Sequence, residues 1–116
     1  MKIDVEKRGH DITIITPHGK IVSGEKVMTL KETIQKIVAE GSKKVIINFE
    51  DVPFMDSTGL GVLIASYTTM QKENGHLKLI KVTDRIQDLL TITKLITLFD
   101  CYKTEMEAVG ALIEKK

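Results

Sequence analysis

Asp56, Ser57 and Thr58 put one carboxylate and two hydroxyls on consecutive residues, followed by Gly59, inside the stretch "VPFMDSTGLGVLIASY" from Val52 to Tyr67. Side-chain oxygens of these types accept hydrogen bonds from the unpaired N–H groups of a first helical turn, so the run can cap a helix. If Asp56 alone satisfies those donors, the Ser57 hydroxyl is left over and can be displayed for another molecule to act on. Gly59 could simply permit tight packing against a sheet.

Catalytic constellations fail one at a time. His10, His18 and His76 fall at turns or strand ends without metal-ligand spacing, and read as solvated loop histidines. Cys101, beside Phe99, reads as a buried filler rather than a nucleophile. Gly59-x-Gly61 lacks the third glycine of a dinucleotide loop, and no Gly-Lys-Ser/Thr occurs anywhere in the chain. "MDSTG" lacks the leading glycine of a nucleophile elbow. A carboxylate pair would need Glu50 or Asp51 to converge on Asp56. No catalytic residue, metal ligand or cofactor is expected.

Composition narrows the classes further. The 116 residues suffice for one modest core, read as a single domain over 1–116. With 42% hydrophobic and 28% charged residues the mix is that of a globular protein. A formal net charge of +1 and the absence of tryptophan argue against a nucleic-acid surface. One cysteine excludes an intrachain disulfide and fits a reducing compartment. No apolar run approaches the ~20 residues that span a bilayer, so a cytoplasmic protein without membrane contact is expected.

The elements that must position the hydroxyl follow from periodicity. "KIDVEKR" alternates Ile3 and Val5 against charges, as in a half-buried strand. Gly9-His10 reads as a two-residue hairpin turn into "DITIITPHG", where Pro17 should bulge or end the strand. Ser23 is placed to cap a helix with Val27, Leu30, Ile34, Ile37 and Val38 on one stripe, stopped by Gly41. "KVIINF", apolar almost throughout, reads as a central strand covered on both faces. A helix from about Ser57 to Glu73 closes at Asn74-Gly75, and "HLKLIKV" forms the next strand. Thr83 caps a helix with Ile86, Leu89 and Leu90. A short strand lies within "LITLFDCY". Thr104 and Glu107 form a capping box before a last helix facing inward through Met106, Val109 and Ile113. The sum is an α/β fold: a mostly parallel mixed sheet, an N-terminal antiparallel hairpin and about four helices.

At 100° per residue the helix after Asp56 sorts into faces. Leu60, Leu63, Ile64, Tyr67 and Met70 form the core arc. Ser57, Gly61, Ala65 and Thr68 make a stripe of small side chains beside it, with Val62 toward solvent. Such a stripe, leading up to a free hydroxyl, is a surface another protein could press against; equally, it could let a neighbouring helix approach closely.

"FEDVPFMDSTGLGVLIASY" closely resembles the signature of bacterial anti-sigma-factor antagonists, the STAS domain family. "KLIKVTDRIQDLLTITKLITLFDCY" is similar to the later strand-helix-strand of that fold, so the likeness runs over nearly the whole chain. The resemblance implies phosphorylation of the serine after the aspartate, Ser57, with Thr58 as an alternative acceptor. It implies an anti-sigma factor that is also the serine kinase, using ATP held in its own fold, and a separate metal-dependent (PP2C-type) phosphatase. The chain would be a monomeric binding module that engages its partner when Ser57 is free, through Asp56, Ser57, Thr58, Gly59, Gly61, Val62, Ala65 and Thr68. Two segments depart from the family pattern. "GKIVSGE" has Lys20 and Val22 where acidic residues are common, and Thr91 and Lys94 replace an Asp-x-x-Gly. A constitutive assembly domain indifferent to Ser57, or a small nucleotide-binding protein resting on Gly59-x-Gly61, are the competing expectations.

Overall fold

The computed structural model describes residues 2–9 and 11–114. Strands β1 (Lys2–Arg8) and β2 (Ile12–His18) are followed by α1 (Glu25–Ala39), β3 (Lys44–Asn48), α2 (Ser57–Lys72), β4 (His76–Ile80), α3 (Asp84–Ile92), β5 (Asp100–Tyr102) and α4 (Glu105–Glu114). The sheet order is β1-β2-β3-β4-β5, with β1 antiparallel to β2 and the other pairs parallel. The expected succession of elements and the mixed sheet are both present.

"KVIINF" is apolar from Val45 to Ile47 because β3 is the middle strand and is covered on both sides, with Lys44 and Asn48 half-buried at its ends. Val45 and Ile47 join α1, α2 and α3 in the larger core, while Ile46 joins Ile12, Ile14 and Ile80 under Ala108 and Leu112 of α4. Successive residues of a strand point to opposite faces, so the middle of a strand between two helical layers is filled by aliphatic side chains on both sides. Each of these fully buried aliphatic side chains contributes about 1.5–3 kcal/mol of transfer free energy.

Several expectations need correction. His10 lies outside the described residues, but the register Arg8↔Ile12 encloses three residues rather than two, with Asp11 in the left-handed region at φ 62°. That is the three-residue type of hairpin, and it shifts the pairing by one residue. β2 runs on through Pro17 to His18; its parallel pairing with β3 ends at Ile15, so the missing N–H sits where that neighbour has already left the ladder. Helix α1 is preceded by Gly24 without a side-chain cap, because the backbone N–H of Ser23 is turned toward Asp56 instead. Val5 is 44% exposed on the edge strand, beyond the reach of the helical layer. α4 faces inward through Ala108 and Leu112, with Val109 partly buried, while Met106 and Ile113 are exposed. Alanine at the contact lets the helix lie close to the isoleucine-rich face. Cys101 is exposed, since β5 is a three-residue edge strand; partial burial and then Asp100 push its thiol pKa up.

The other caps form as expected. Ile86 N–H donates to Thr83 Oγ1 at 3.3 Å, and Glu107 N–H to Thr104 Oγ1 at 3.2 Å, although the Glu107 carboxylate accepts from the Thr104 hydroxyl at 3.2 Å, where the expected capping box has it accept from the Thr104 N–H. Gly41, at φ 99°, ends α1 with its N–H on the Val38 carbonyl.

Candidate functional site

The carboxyl ends of β2 and β3 run into two connections, residues 19–24 and 49–56, that are laced together. Gly19 N–H donates to the Asp51 carbonyl at 2.9 Å, and Ile21 N–H to the Phe54 carbonyl at 3.0 Å. Asp56 N–H donates to the Ile21 carbonyl at 3.2 Å, within a parallel bridge between Ile21 and Met55. The buried side chains of Ile21, Val52 and Met55 fasten this platform to the core. Buried loop backbone needs partners for its polar groups, and here each loop supplies the other's.

Asp56 ends the platform as the N-cap of α2. Its Oδ1 accepts from Gly59 N–H at 3.0 Å and its Oδ2 from Ser23 N–H at 2.9 Å. These two backbone hydrogen bonds, Gly59 first and Ser23 second, hold its carboxyl below the usual carboxylate range. With the capping done by Asp56, Ser57 is exposed and its hydroxyl has no hydrogen-bond partner among the described residues. Thr58 is exposed beside it.

Gly59 is fixed by sterics. A Cβ there would lie 2.6 Å from Met55 Cγ, 2.7 Å from the Ile21 carbonyl oxygen and 2.9 Å from Ile21 Cγ2. The glycine lets the first turn of α2 sit directly on the platform. Gly61 is different: a Cβ there would meet nothing within 4 Å. With Ser57, Ala65 and Thr68 it forms an exposed stripe, as the periodicity indicates.

Two residues of α2 are placed otherwise than expected. Val62, assigned to the partner surface, is buried at 7% exposure, and Ile64, assigned to the core, is 36% exposed. α1 packs along this side of α2, and Val62, Ala65 and Ser66 line a small cavity at the seam together with Lys31, Ile34 and Gln35. The helix is thus covered from two directions, which turns its core arc toward Val62 and Ser66 and leaves Ile64 on the stripe. The small residues Ala65 and Ser66 at this seam also serve the close helix approach that the sequence left open. Ser66, buried, donates its hydroxyl to the Val62 carbonyl at 2.7 Å.

The remaining candidates separate. Glu50 pairs with Lys81 at 3.6 Å and Asp51 with His18 at 2.7 Å, so neither acid converges on Asp56. Among the described residues no group of three or more His, Cys, Asp or Glu side chains could hold a metal ion, and no helix is long and apolar enough to cross a membrane. Three features escaped the sequence reading. His18 bridges Asp4 and Asp51 instead of standing in solvent. The guanidinium of Arg85 lies 5.2 Å from the centroid of the Phe54 ring, joining the start of α3 to the platform. Lys78 is a buried lysine on β4, paired with Asp100 across the register of β5. Only the His18–Asp4 contact had a legible signal: a three-residue hairpin would set them as diagonal neighbours on one face.

Comparison with known proteins agrees with this geometry. The STAS domain family model matches residues 2–108. An anti-sigma-B factor antagonist of Bacillus subtilis (strain 168) is 30% identical over 104 residues, covering 86% of this chain and 89% of that protein. One from Staphylococcus aureus (strain NCTC 8325 / PS 47) is 33% identical over 69 residues. That match spans 60% of this chain and 64% of the Staphylococcus protein, just under two thirds of the relative's length. A Thermotoga maritima crystal structure superposes with a TM-score of 0.91 at 20% identity, covering 97% of this chain and 95% of the other. The Bacillus protein SpoIIAA in its phosphorylated form gives 0.75 at 21% identity, with 95% and 98% covered. With its signature turn on a laced two-loop platform and its family match over nearly the full length, this chain belongs to the STAS domain family, in the company of anti-sigma-factor antagonists.

Proposed function

We propose that this protein is an anti-sigma-factor antagonist whose unphosphorylated form binds an anti-sigma factor and frees the sigma factor, and that phosphorylation of Ser57 switches the binding off. The observation that carries the reading is the exposed Ser57 hydroxyl at the head of α2, without a hydrogen-bond partner among the described residues and with its capping duty taken over by Asp56. The partner surface is then Asp56, Ser57, Thr58 and the stripe of Gly61, Ile64, Ala65 and Thr68, with Gly59 holding the turn in place and Val62 removed from it. The chain acts as substrate and binding module, not as an enzyme. Its partner supplies the serine kinase activity, a PP2C-type phosphatase restores the hydroxyl, and the exchange takes place in the cytoplasm.

The physics of the switch is local. A phosphoserine adds about −1.5 to −2 charges and three acceptor oxygens. An anion at a helix N-terminus gains about 0.3–1 kcal/mol, so α2 keeps its fold. A facing carboxylate on the partner at ~4 Å would oppose each added charge by about 1–4 kcal/mol, for effective dielectrics between water and a protein surface. That is roughly a five- to thousandfold loss of affinity.

Incubation with the cognate anti-sigma kinase and ATP, followed by peptide mass spectrometry, tests the assignment. Phosphate on Ser57 is expected. Phosphate only on Thr58 or elsewhere refutes the site, and a stable complex unaffected by Ser57→Asp would favour a constitutive assembly domain.

A further inference from the structure

His18 closes β2 with its ring held between two carboxylates. Nε2 lies 2.8 Å from Asp4 Oδ2 on β1, and Nδ1 lies 2.7 Å from Asp51 Oδ2 in the connection that leads to α2. A neutral imidazole has one N–H and one lone pair, and an ionised carboxylate offers only lone pairs. Both contacts are attractive only when both ring nitrogens carry protons. The neutral ring would turn a lone pair toward one carboxylate at hydrogen-bond distance. A metal ion does not suit the arrangement, because the carboxylates sit on opposite ring nitrogens and cannot converge on one of them.

The position of this ring matters more than the strength of its two contacts. Gly19, the next residue, donates to the carbonyl of the same Asp51 whose side chain His18 holds. From there the bonds run upward in sequence: Ile21 to Phe54, Asp56 to Ile21, and Ser23 to the Asp56 carboxylate. His18 is therefore the lowest fastening of the platform that ends at Asp56 and Ser57, and it ties in the edge strand β1 through Asp4. Its charged neighbours in register and sequence are Lys2, opposite it in the β1–β2 pairing, and Lys20 two residues on, while Glu50, beside Asp51 in the chain, pairs with Lys81.

We propose that His18 is a positioning residue for the Ser57 platform: as an imidazolium it clips the two site loops and β1 together, and loss of its proton loosens the lacing beneath Asp56. The functional meaning of the clip rests on the reading of Ser57 as the partner site; the clip itself does not. The hydrogen bonds to Asp4 and then Asp51 raise the affinity of the ring for its proton, so release falls on the alkaline side of an ordinary histidine.

The free, full-length chain suffices for the test. Isotope-labelled protein is titrated from about pH 5 to 10, following the His18 ring resonance (assigned with His18→Gln) and amide exchange protection factors. A His18 midpoint above ~6.5 is expected, lowered in both Asp4→Asn and Asp51→Asn. Protection of the Ile21 and Asp56 amides should fall roughly two- to fivefold across that midpoint, the size of one exposed ion pair. In His18→Gln the protection should stay at its high-pH level throughout, and Gly75 N–H, at the far end of α2, should not respond. A midpoint at or below ~6.5, no change in Asp51→Asn, or flat protection at Ile21 and Asp56 overturns the proposal. No partner enters the assay, so failure of the anti-sigma reading leaves this result intact, and the reverse holds.

Discussion

Two glycines two residues apart in α2 should respond oppositely to the same substitution. In Gly59→Ala the new methyl would stand 2.7 Å from the Ile21 carbonyl oxygen and 2.6 Å from Met55 Cγ, where unstrained carbon contacts need about 3.5 Å. Neither atom is the free end of a flexible chain. The Ile21 carbonyl also accepts the Asp56 N–H, so moving it disturbs the platform. Overpacking of this kind costs about 1–3 kcal/mol, here toward the upper end, and replacing a helical glycine returns about 1 kcal/mol, leaving Gly59→Ala about 2 kcal/mol less stable. In Gly61→Ala the methyl meets nothing, so the full helix-propensity gain of about 0.5–1 kcal/mol remains. At roughly 4 °C per kcal/mol for a chain of this size, Gly59→Ala should lower Tm by about 8 °C and Gly61→Ala should raise it by about 2–4 °C. Thermal and urea unfolding followed by circular dichroism measure both, with unchanged urea slopes showing that stability, and not the surface exposed on unfolding, has changed. If Gly59→Ala melts with or above the wild type, the packing argument for the platform is wrong.

Other perturbations separate the faces of the fold. Ser57→Ala should bind the anti-sigma factor as the wild type does, whereas Ser57→Asp should weaken binding by roughly fivefold or more in a calorimetric titration; equal affinities would remove the electrostatic switch. Val62→Ala should cost about 1–3 kcal/mol of stability, because it empties the α1–α2 seam, while Ile64→Ala should leave unfolding within about 0.5 kcal/mol and act on binding instead. Lys78→Met should be neutral within about 1 kcal/mol, since the apolar side chain fills the buried site and Asp100, 60% exposed, returns to water, but Asp100→Ala should cost about 1–3 kcal/mol by stranding the buried ammonium. Stability should also depend on pH at both ends. The folded state raises the proton affinity of His18, so its contribution is complete below ~6.5 and is lost as pH rises through the folded midpoint. Asp56 is shifted downward, so its contribution holds above the ordinary carboxylate range and is lost as pH falls through the lowered value. Asp51→Asn should flatten the alkaline limb and Asp56→Asn the acid one in denaturant midpoints recorded against pH.

Local signals in the chain carried the element order, the capping residues Thr83 and Thr104, the stop at Gly41, the central place of "KVIINF" and the turn that displays Ser57. Each of these depends on neighbours within four residues, where periodicity and hydrogen-bonding inventory are sufficient. The exposure of Gly61, Ala65 and Thr68 was legible for the same reason. What the sequence did not contain was which other element would lie alongside. Val62 and Ile64 exchange roles because α1 covers one flank of α2, and a helical wheel has no knowledge of a second neighbour. Cys101 and Val5 are exposed because their strands lie at the edges of the sheet, and Met106 is exposed because α4 leans on Ala108 and Leu112. His18 becomes a paired cation only when one added residue in the hairpin sets the register beside Asp4 and the third strand's exit brings up Asp51. Short-range bonding rules wrote the turn around Ser57, whereas long-range packing decided the platform beneath it, because contacts between residues distant in the chain depend on how whole elements stack.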